Sequence, residues 1–208
     1  EHWNVPFAID NDARAATVGE WQFGIARGKE NIVMMTIGTG IGTGVVLEGR
    51  VLYGQHCRAG ALGGHLIVDY KGRQCSCGNI GCVEAHASSF FLPQIVRDNK
   101  RLNREFAMDT VNYDFKNLFT QVSAGVADAK LVIEDCISVW SAAIVNYIHA
   151  YDPQIVILGG GIMKSGNLIL PYIRERVNAL AWYPNEKVEI VASSLGDNAA
   201  LVAAEYYF

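Results

Sequence analysis

Three cysteines fall within eight residues in the segment RQCSCGNIGCVE (73–84), and no other feature limits the folds open to this chain so strongly. Cys75, Cys77 and Cys82 are interleaved with Gly78 and Gly81, which let the backbone turn tightly between them. Thiolates bind zinc through sulfur in a tetrahedral site. A fourth ligand stands ten residues upstream, at His65, the end of GALGGH. The pattern H-x9-C-x-C-x4-C therefore has the composition of a Cys3His site. Such a site is closed to water and structural rather than catalytic. Buried thiols or a disulfide are the plainer readings. C-x-C is a poor spacing for a bridge, and neither alternative gives the glycines a purpose. Cys136 lies in an apolar helical run and reads as packed, while Cys57, in a glycine-rich loop, has no assigned role. The cysteine count of five is odd, which argues against a secreted disulfide framework and for a reducing cytoplasm.

A metal-tied loop needs a larger body to hold it. With 208 residues, half of them apolar and 18% charged, the chain is long and apolar enough to bury a real core. A formal net charge of −4 without a basic run gives no electrostatic footprint for nucleic acid. No membrane-spanning run and no signal peptide are expected. The chain starts at Glu1 in mid-motif, which reads as a fragment or a processed chain.

The elements alternate. VPFAI (5–9) reads as a short buried strand, followed by a polar turn and a helix through Gln22 capped by Asn11 or Asp12. NIVMMTIG and GTGVVLEG read as strands joined by glycine turns, with RVLYG as a third and HLIVD (65–69) as a further strand. The cysteine segment then runs into a helix from about Val83. Residues 98–116 are the most polar and read as a surface excursion. From about Asn117 to Tyr151 apolar residues recur at helical spacing, up to Asp152-Pro153. QIVIL is a buried strand, Gly159-Gly160-Gly161 a turn, and a helix follows to about Leu180, interrupted near its start by Lys164–Asn167. KVEIVAS is a strand and DNAALVAAEYYF a terminal helix. Strands alternating with helices around a β-meander predict an α/β fold with a mixed sheet.

Four segments, in order, resemble the ROK sugar kinases and repressors, on the actin/hexokinase-like ATPase (ribonuclease H-like) fold. They are IDNDARAA, TIGTGIGTGVVLEGRVLYG, GALGGH with CSCGNIGCVE, and IVILGGGIMKSG. The resemblance spans nearly the whole chain. It implies Asp12 as the general base that takes a proton from a sugar hydroxyl, with Asn11 as a sugar contact beside it. His65 and Glu84 would lie near the sugar, His65 also facing the metal. Gly38, Thr39, Gly40, Gly42, Thr43 and Gly44 would form a phosphate-binding turn, and Gly159, Gly160 and Gly161 a turn near the nucleotide. Taken alone, a glycine run is equally a hairpin turn and an aspartate at a helix start equally an N-cap.

The same resemblance implies ATP with magnesium, a structural zinc on His65, Cys75, Cys77 and Cys82, and a small-molecule sugar as partner. It also implies homodimer formation. Two departures shape the expectation. The family's Asp-x-Gly-Gly-Thr loop has no counterpart before Asp12, so the chain reads as mainly the C-terminal lobe, weak in turnover by itself. The family's glutamate three residues before the histidine is replaced by Leu62, which cannot accept hydrogen bonds from a sugar. The leading expectation is the zinc-carrying part of a hexose or amino-sugar kinase. The alternatives are the sugar-sensing domain of a ROK repressor and a non-catalytic sugar-binding relative.

Overall fold

The computed structural model describes residues 5–108, 113–183 and 186–208. Its centre is a five-stranded mixed sheet in the order β3-β2-β1-β4-β5. The strands are β1 (Ile32–Ile37), β2 (Ile41–Leu47), β3 (Arg50–Val51), β4 (Ile155–Gly159) and β5 (Glu189–Ala192). β1, β2 and β3 form the antiparallel meander, while β4 lies parallel to β1 and β5 parallel to β4. β1 and β4 read as continuous apolar runs because helices cover both sheet faces, so neither set of alternating side chains meets water.

One face carries α1 (Asp12–Gln22) and α8 (Ala199–Val202), packed over Ile32, Met34, Val46, Ile155 and Ile157. The helices approach closely because Gly19 has no side chain: a methyl there would sit 2.8 Å from the carbonyl carbon of Ala199. The other face carries α6 (Ala127–Tyr151), α7 (Gly166–Leu180) and α5 (Phe115–Ser123) over Val33, Met35, Ile37, Val156 and Leu158. α6 is long and apolar enough to cross a membrane by length and composition, contrary to the expectation of no such run. In this fold its apolar side chains are spent on the core, with Trp140, Ile144 and Tyr147 fully buried. It ends where Asp152 turns left-handed (φ 44°) before Pro153, which cannot continue a helix.

Several expected elements differ. Residues 5–9 form no strand; Val5, Phe7 and Ile9 are exposed, because no neighbouring strand among the described residues offers a ladder. HLIVD is not a strand either. His65 closes a 3-10 turn (Gly63–His65), and Ile67 makes only a single bridge to Cys82, because this loop wraps the cysteine segment instead of joining the sheet. The third meander strand is limited to two residues. The polar stretch 98–116 includes α4 (Arg104–Met108) and the start of α5, with 109–112 outside the described residues. The helical reading from Asn117 breaks at Gly125 (φ 83°), separating α5 from α6. The triple glycine leads into a 3-10 turn (Gly161–Ser165) before α7, which carries Pro171 inside it. The terminal helix is split into α8 and α9 (Ala204–Tyr207) behind a 3-10 turn at Gly196–Asn198.

Candidate functional site

Two short elements bracket the turn between β1 and β2. One is the 3-10 turn Gly63–His65. Gly63 N–H donates to Thr43 Oγ1 at 2.8 Å, and Gly64 lies so close to Ile41 that a methyl there would stand 2.9 Å from the Ile41 carbonyl carbon. The other is α2 (Val83–Ala87), with Cys82 as its N-cap residue. From α2, Glu84 accepts the Ile41 N–H at 2.9 Å, and a methyl on Gly40 would fall 2.6 Å from Glu84 Oε2. Just beyond α2, the N–H groups of Ser89 and Phe90 donate to the carbonyls of Gly38 and Thr39. The Gly38–Gly40 turn is thus bolted in place from both sides, and its glycines leave the backbone uncovered on its open side.

The cysteine segment joins the two brackets. The ligand atoms of His65, Cys75, Cys77 and Cys82 all lie within 4.8 Å of one another. His65 Nδ1 is 3.7 Å from Cys75 Sγ, and Cys77 Sγ is 3.6 Å from Cys82 Sγ. No disulfide links them. Gly78 and Gly81 adopt φ of 93° and 80°, as the tight turn between ligands requires. Burial pushes the Cys82 thiol up to about 12, with the neighbouring sulfurs adding to the effect, whereas a backbone hydrogen bond from Asn79 draws Cys77 down. Three sulfurs crowded at these distances repel as thiolates and call for a cation among them. One imidazole and three thiols within contact distance fit tetrahedral zinc in number, type and spacing.

Asp12 opens α1, with Asn11 as its cap: Asn11 Oδ1 accepts the Arg14 N–H at 3.1 Å. The helix runs along β2, Ala13 facing Gly42 and Thr17 facing Gly44. Its N-terminus therefore lies at the end of β2 where the Gly38–Gly40 turn begins. Asp12 is exposed and its Oδ1 accepts the Ala13 N–H at 2.8 Å. A helix N-terminus also favours negative charge, whether a carboxylate or a phosphate oxygen.

Beyond the turn opens a cavity of about 560 Å³, lined in part by Gly38, Thr39, Ser89, Phe115, Lys116, Gly161 and Lys164. That volume is in the range of small-molecule and cofactor sites, roughly 300–1,000 Å³. Gly38, Thr39 and Gly161 are thus placed on this cavity. Gly160 is left-handed (φ 85°) against Ile37, which brings Gly161 to the lining. Gly159 is buried within β4 against Met34.

Gly42, Thr43 and Gly44 of the expected phosphate-binding turn lie within β2. Gly42 and Gly44 sit inside β2, where their missing side chains admit α1; a methyl on either would stand 2.7 Å from a side-chain carbon of Ala13 or Thr17. Thr43 is buried, and its hydroxyl is spent on Gly60 O and Gly63 N. All three lie off the wall of this cavity. Conversely, Lys116 and Lys164 on the cavity were not foreseen as site residues. The signal for Lys164 was its position three residues after the glycine triplet, whereas nothing local marks Lys116. Leu62, flanking the 3-10 turn, is 48% exposed.

The family model described as ROK family matches residues 1–208. A glucokinase of Thermotoga maritima is 35% identical over 207 residues, covering 94% of this chain and 63% of the relative. A xylose repressor of Bacillus subtilis is 32% identical over 201 residues, covering 96% of this chain and 49% of the relative. Among solved structures, a ROK family glucokinase from Streptomyces griseus in complex with glucose and AMPPNP superposes with a TM-score of 0.84 at 27% identity. That superposition covers 96% of this chain and 67% of the other. The chain spans about 63% of the length of the glucokinase it matches.

Proposed function

This chain belongs to the ROK family, with the α/β actin-like ATPase fold, and on that premise we propose that the intact protein transfers the terminal phosphoryl group of ATP to a hydroxyl of a hexose or amino sugar. The observation that carries the reading is the placement of Asp12. It stands exposed at the N-terminus of α1, at the same end of β2 as a bare glycine turn that opens onto a nucleotide-sized cavity. Phosphoryl transfer asks for little else from a protein: a positioned base, donors for phosphate oxygens and positive charge near them.

In this reading Asp12 accepts the proton of the attacking hydroxyl, and Asn11, its Oδ1 committed to the cap, turns its amide N–H groups to the sugar. Gly38, Thr39, Gly40 and Gly161 present backbone to the phosphates, and Lys116 and Lys164 supply positive charge on the cavity wall. Glu84 uses one carboxylate oxygen to hold Ile41 and offers the other to the sugar. Zinc on His65, Cys75, Cys77 and Cys82 is architectural, and magnesium enters with the nucleotide. The chain acts as the zinc-carrying C-terminal lobe of a cytoplasmic enzyme, and the remaining phosphate contacts come from the rest of the intact protein.

The similarity to a xylose repressor favours a second reading, a sugar-sensing domain that binds without turnover. The two part on one experiment in the intact protein, ATP-dependent phosphorylation across a panel of hexoses and amino sugars, with Asp12→Asn alongside. The kinase reading expects turnover to fall by about 10²–10⁴-fold in the variant with sugar affinity kept. Sugar binding with no phosphoryl transfer to any sugar in the wild type overturns it in favour of the sensor.

A further inference from the structure

Two residues before Asp12, the Asp10 carboxylate carries an unusually complete set of partners. Its Oδ1 accepts from Asn11 N–H at 2.7 Å and Arg14 Nη1 at 2.5 Å. Its Oδ2 accepts from the Tyr53 hydroxyl at 2.9 Å and the Tyr207 hydroxyl at 2.7 Å. The Asp10 and Arg14 side chains are 7% and 3% exposed. Arg14 continues the network, its Nη2 donating to Cys57 O and Ala59 O, with its guanidinium 4.6 Å from the centre of the Tyr53 ring. Segments far apart in sequence, the loop after β3 and the C-terminal α9, thereby converge on one carboxylate.

Capping alone does not explain this, since Asn11 already caps α1. The lead-in to the helix gives a reason. Among the described residues, 5–9 are exposed and pair with no strand, so Asp10 is where the lead-in to α1 is tied to the body of this chain. Asp12 is itself exposed, and its own hydrogen bond goes to the next residue. A base in that position inherits its placement from the residue that anchors the helix start. Burial by itself would raise the Asp10 carboxyl, but the hydrogen bonds from Tyr207, Arg14, Asn11 and Tyr53 outweigh it and keep the group charged.

The structure assigns Asp10 as a positioning residue: held by Tyr53, Tyr207 and Arg14, it fixes the start of α1 and so the stance of Asp12 toward the attacking hydroxyl. The inference rests on the proposed role of Asp12 as the base. Loss of the two tyrosine hydroxyls leaves Oδ2 without these donors while keeping both rings, including the edge-on contact of Tyr207 with Tyr206.

The test is steady-state kinetics of the intact protein carrying Tyr53→Phe with Tyr207→Phe, beside Asp10→Asn and Asp12→Asn. Misplacement of a reacting group by an ångström costs on the order of 100-fold. The double tyrosine variant is expected to lose about 10-fold in kcat, and Asp10→Asn about 100-fold, with KM for the sugar within about two-fold of wild type. Should Asp10→Asn fail to fold, the tyrosine variant carries the test. A lowered melting temperature with unchanged kcat at 25 °C overturns the assignment and leaves Asp10 a structural residue, while loss of turnover in Asp12→Asn still upholds the base. A wild type that transfers no phosphate overturns the functional reading instead. Positioning is then judged from crystal structures of this chain, where an Asp12 side chain unmoved by the tyrosine substitutions refutes it.

Discussion

Replacing Gly64 with alanine drives a methyl group into the backbone of β2. The new carbon would overlap the Ile41 carbonyl oxygen and stand 2.9 Å from its carbon and 3.0 Å from Ile41 Cβ. Ordinary carbon–carbon contact lies at about 3.5–4.0 Å and the overlapped oxygen is nearer still, so relief needs a shift of about an ångström or more. Rotating a side chain does not provide it, because the obstacle is backbone held in register with Ile37 of β1. Overpacking of this kind costs about 1–3 kcal/mol. If the 3-10 turn lifts away instead, the bond from Gly63 N–H to Thr43 Oγ1 goes with it, about another 0.5–1.5 kcal/mol. The expected destabilisation is therefore about 1.5–4.5 kcal/mol, measured by urea unfolding of the metal-loaded chain at constant m. His65 closes the same turn, so metal affinity should weaken too, read by competition with a chromophoric chelator. Gly38→Ala is the internal control, with nothing within 4 Å of the added methyl. It should leave stability within about 0.5 kcal/mol and instead weaken nucleotide binding at the cavity it lines. A Gly64→Ala protein within about 0.5 kcal/mol of wild type and with full metal affinity would refute the coupling between the metal loop and β2.

Two further predictions concern buried carboxylates. Glu20 is fully buried and accepts from Ile25 N–H, Leu195 N–H and the hydroxyls of Ser193 and Ser194, tying α1 to the segment after β5. Glu20→Ala should cost about 3–5 kcal/mol in chemical denaturation, and a loss below about 1 kcal/mol would show that tie to be dispensable. Glu20 and Asp10 both sit below the usual carboxylate range: burial raises each, and hydrogen bonds outweigh it. The unfolded chain then binds more protons than the folded one in acid. Their stabilisation is complete above the unfolded values, near pH 4, and is lost as pH falls through the lower folded values. Melting temperature should drop on that acid limb, less steeply in Asp10→Asn, and equal slopes in variant and wild type would contradict this.

What the sequence disclosed and what it withheld follow from the range of the interactions. The metal ligands are local in sequence and differ chemically from their surroundings, so Cys75, Cys77, Cys82 and His65 were legible together. The α1 cap and the glycine turn were legible for the same reason. HLIVD looked like a strand because its composition is apolar. Its conformation is instead dictated by the cysteine segment it folds around, as the Ile67–Cys82 bridge shows. VPFAI was misread as buried because an apolar run shows its character but not whether a partner is at hand. The resemblance marks Gly42 and Gly44 for a phosphate-binding turn, and no local pattern shows that their missing side chains also admit Ala13 and Thr17 of α1. The partners of Asp10 and Glu20 lie up to 197 and 175 residues away, so no local pattern announces them.

The tie between the 3-10 turn and α2 across the Gly38–Gly40 turn requires a metal ion among His65, Cys75, Cys77 and Cys82. Elemental analysis of purified protein, combined with thiol alkylation before and after chelation, tests this directly. About one zinc per chain is expected, with Cys75, Cys77 and Cys82 shielded until the metal is withdrawn and the chain less stable afterwards. A fully folded protein without metal, whose exposed Cys77 reacts as freely before chelator as after it, would contradict the account.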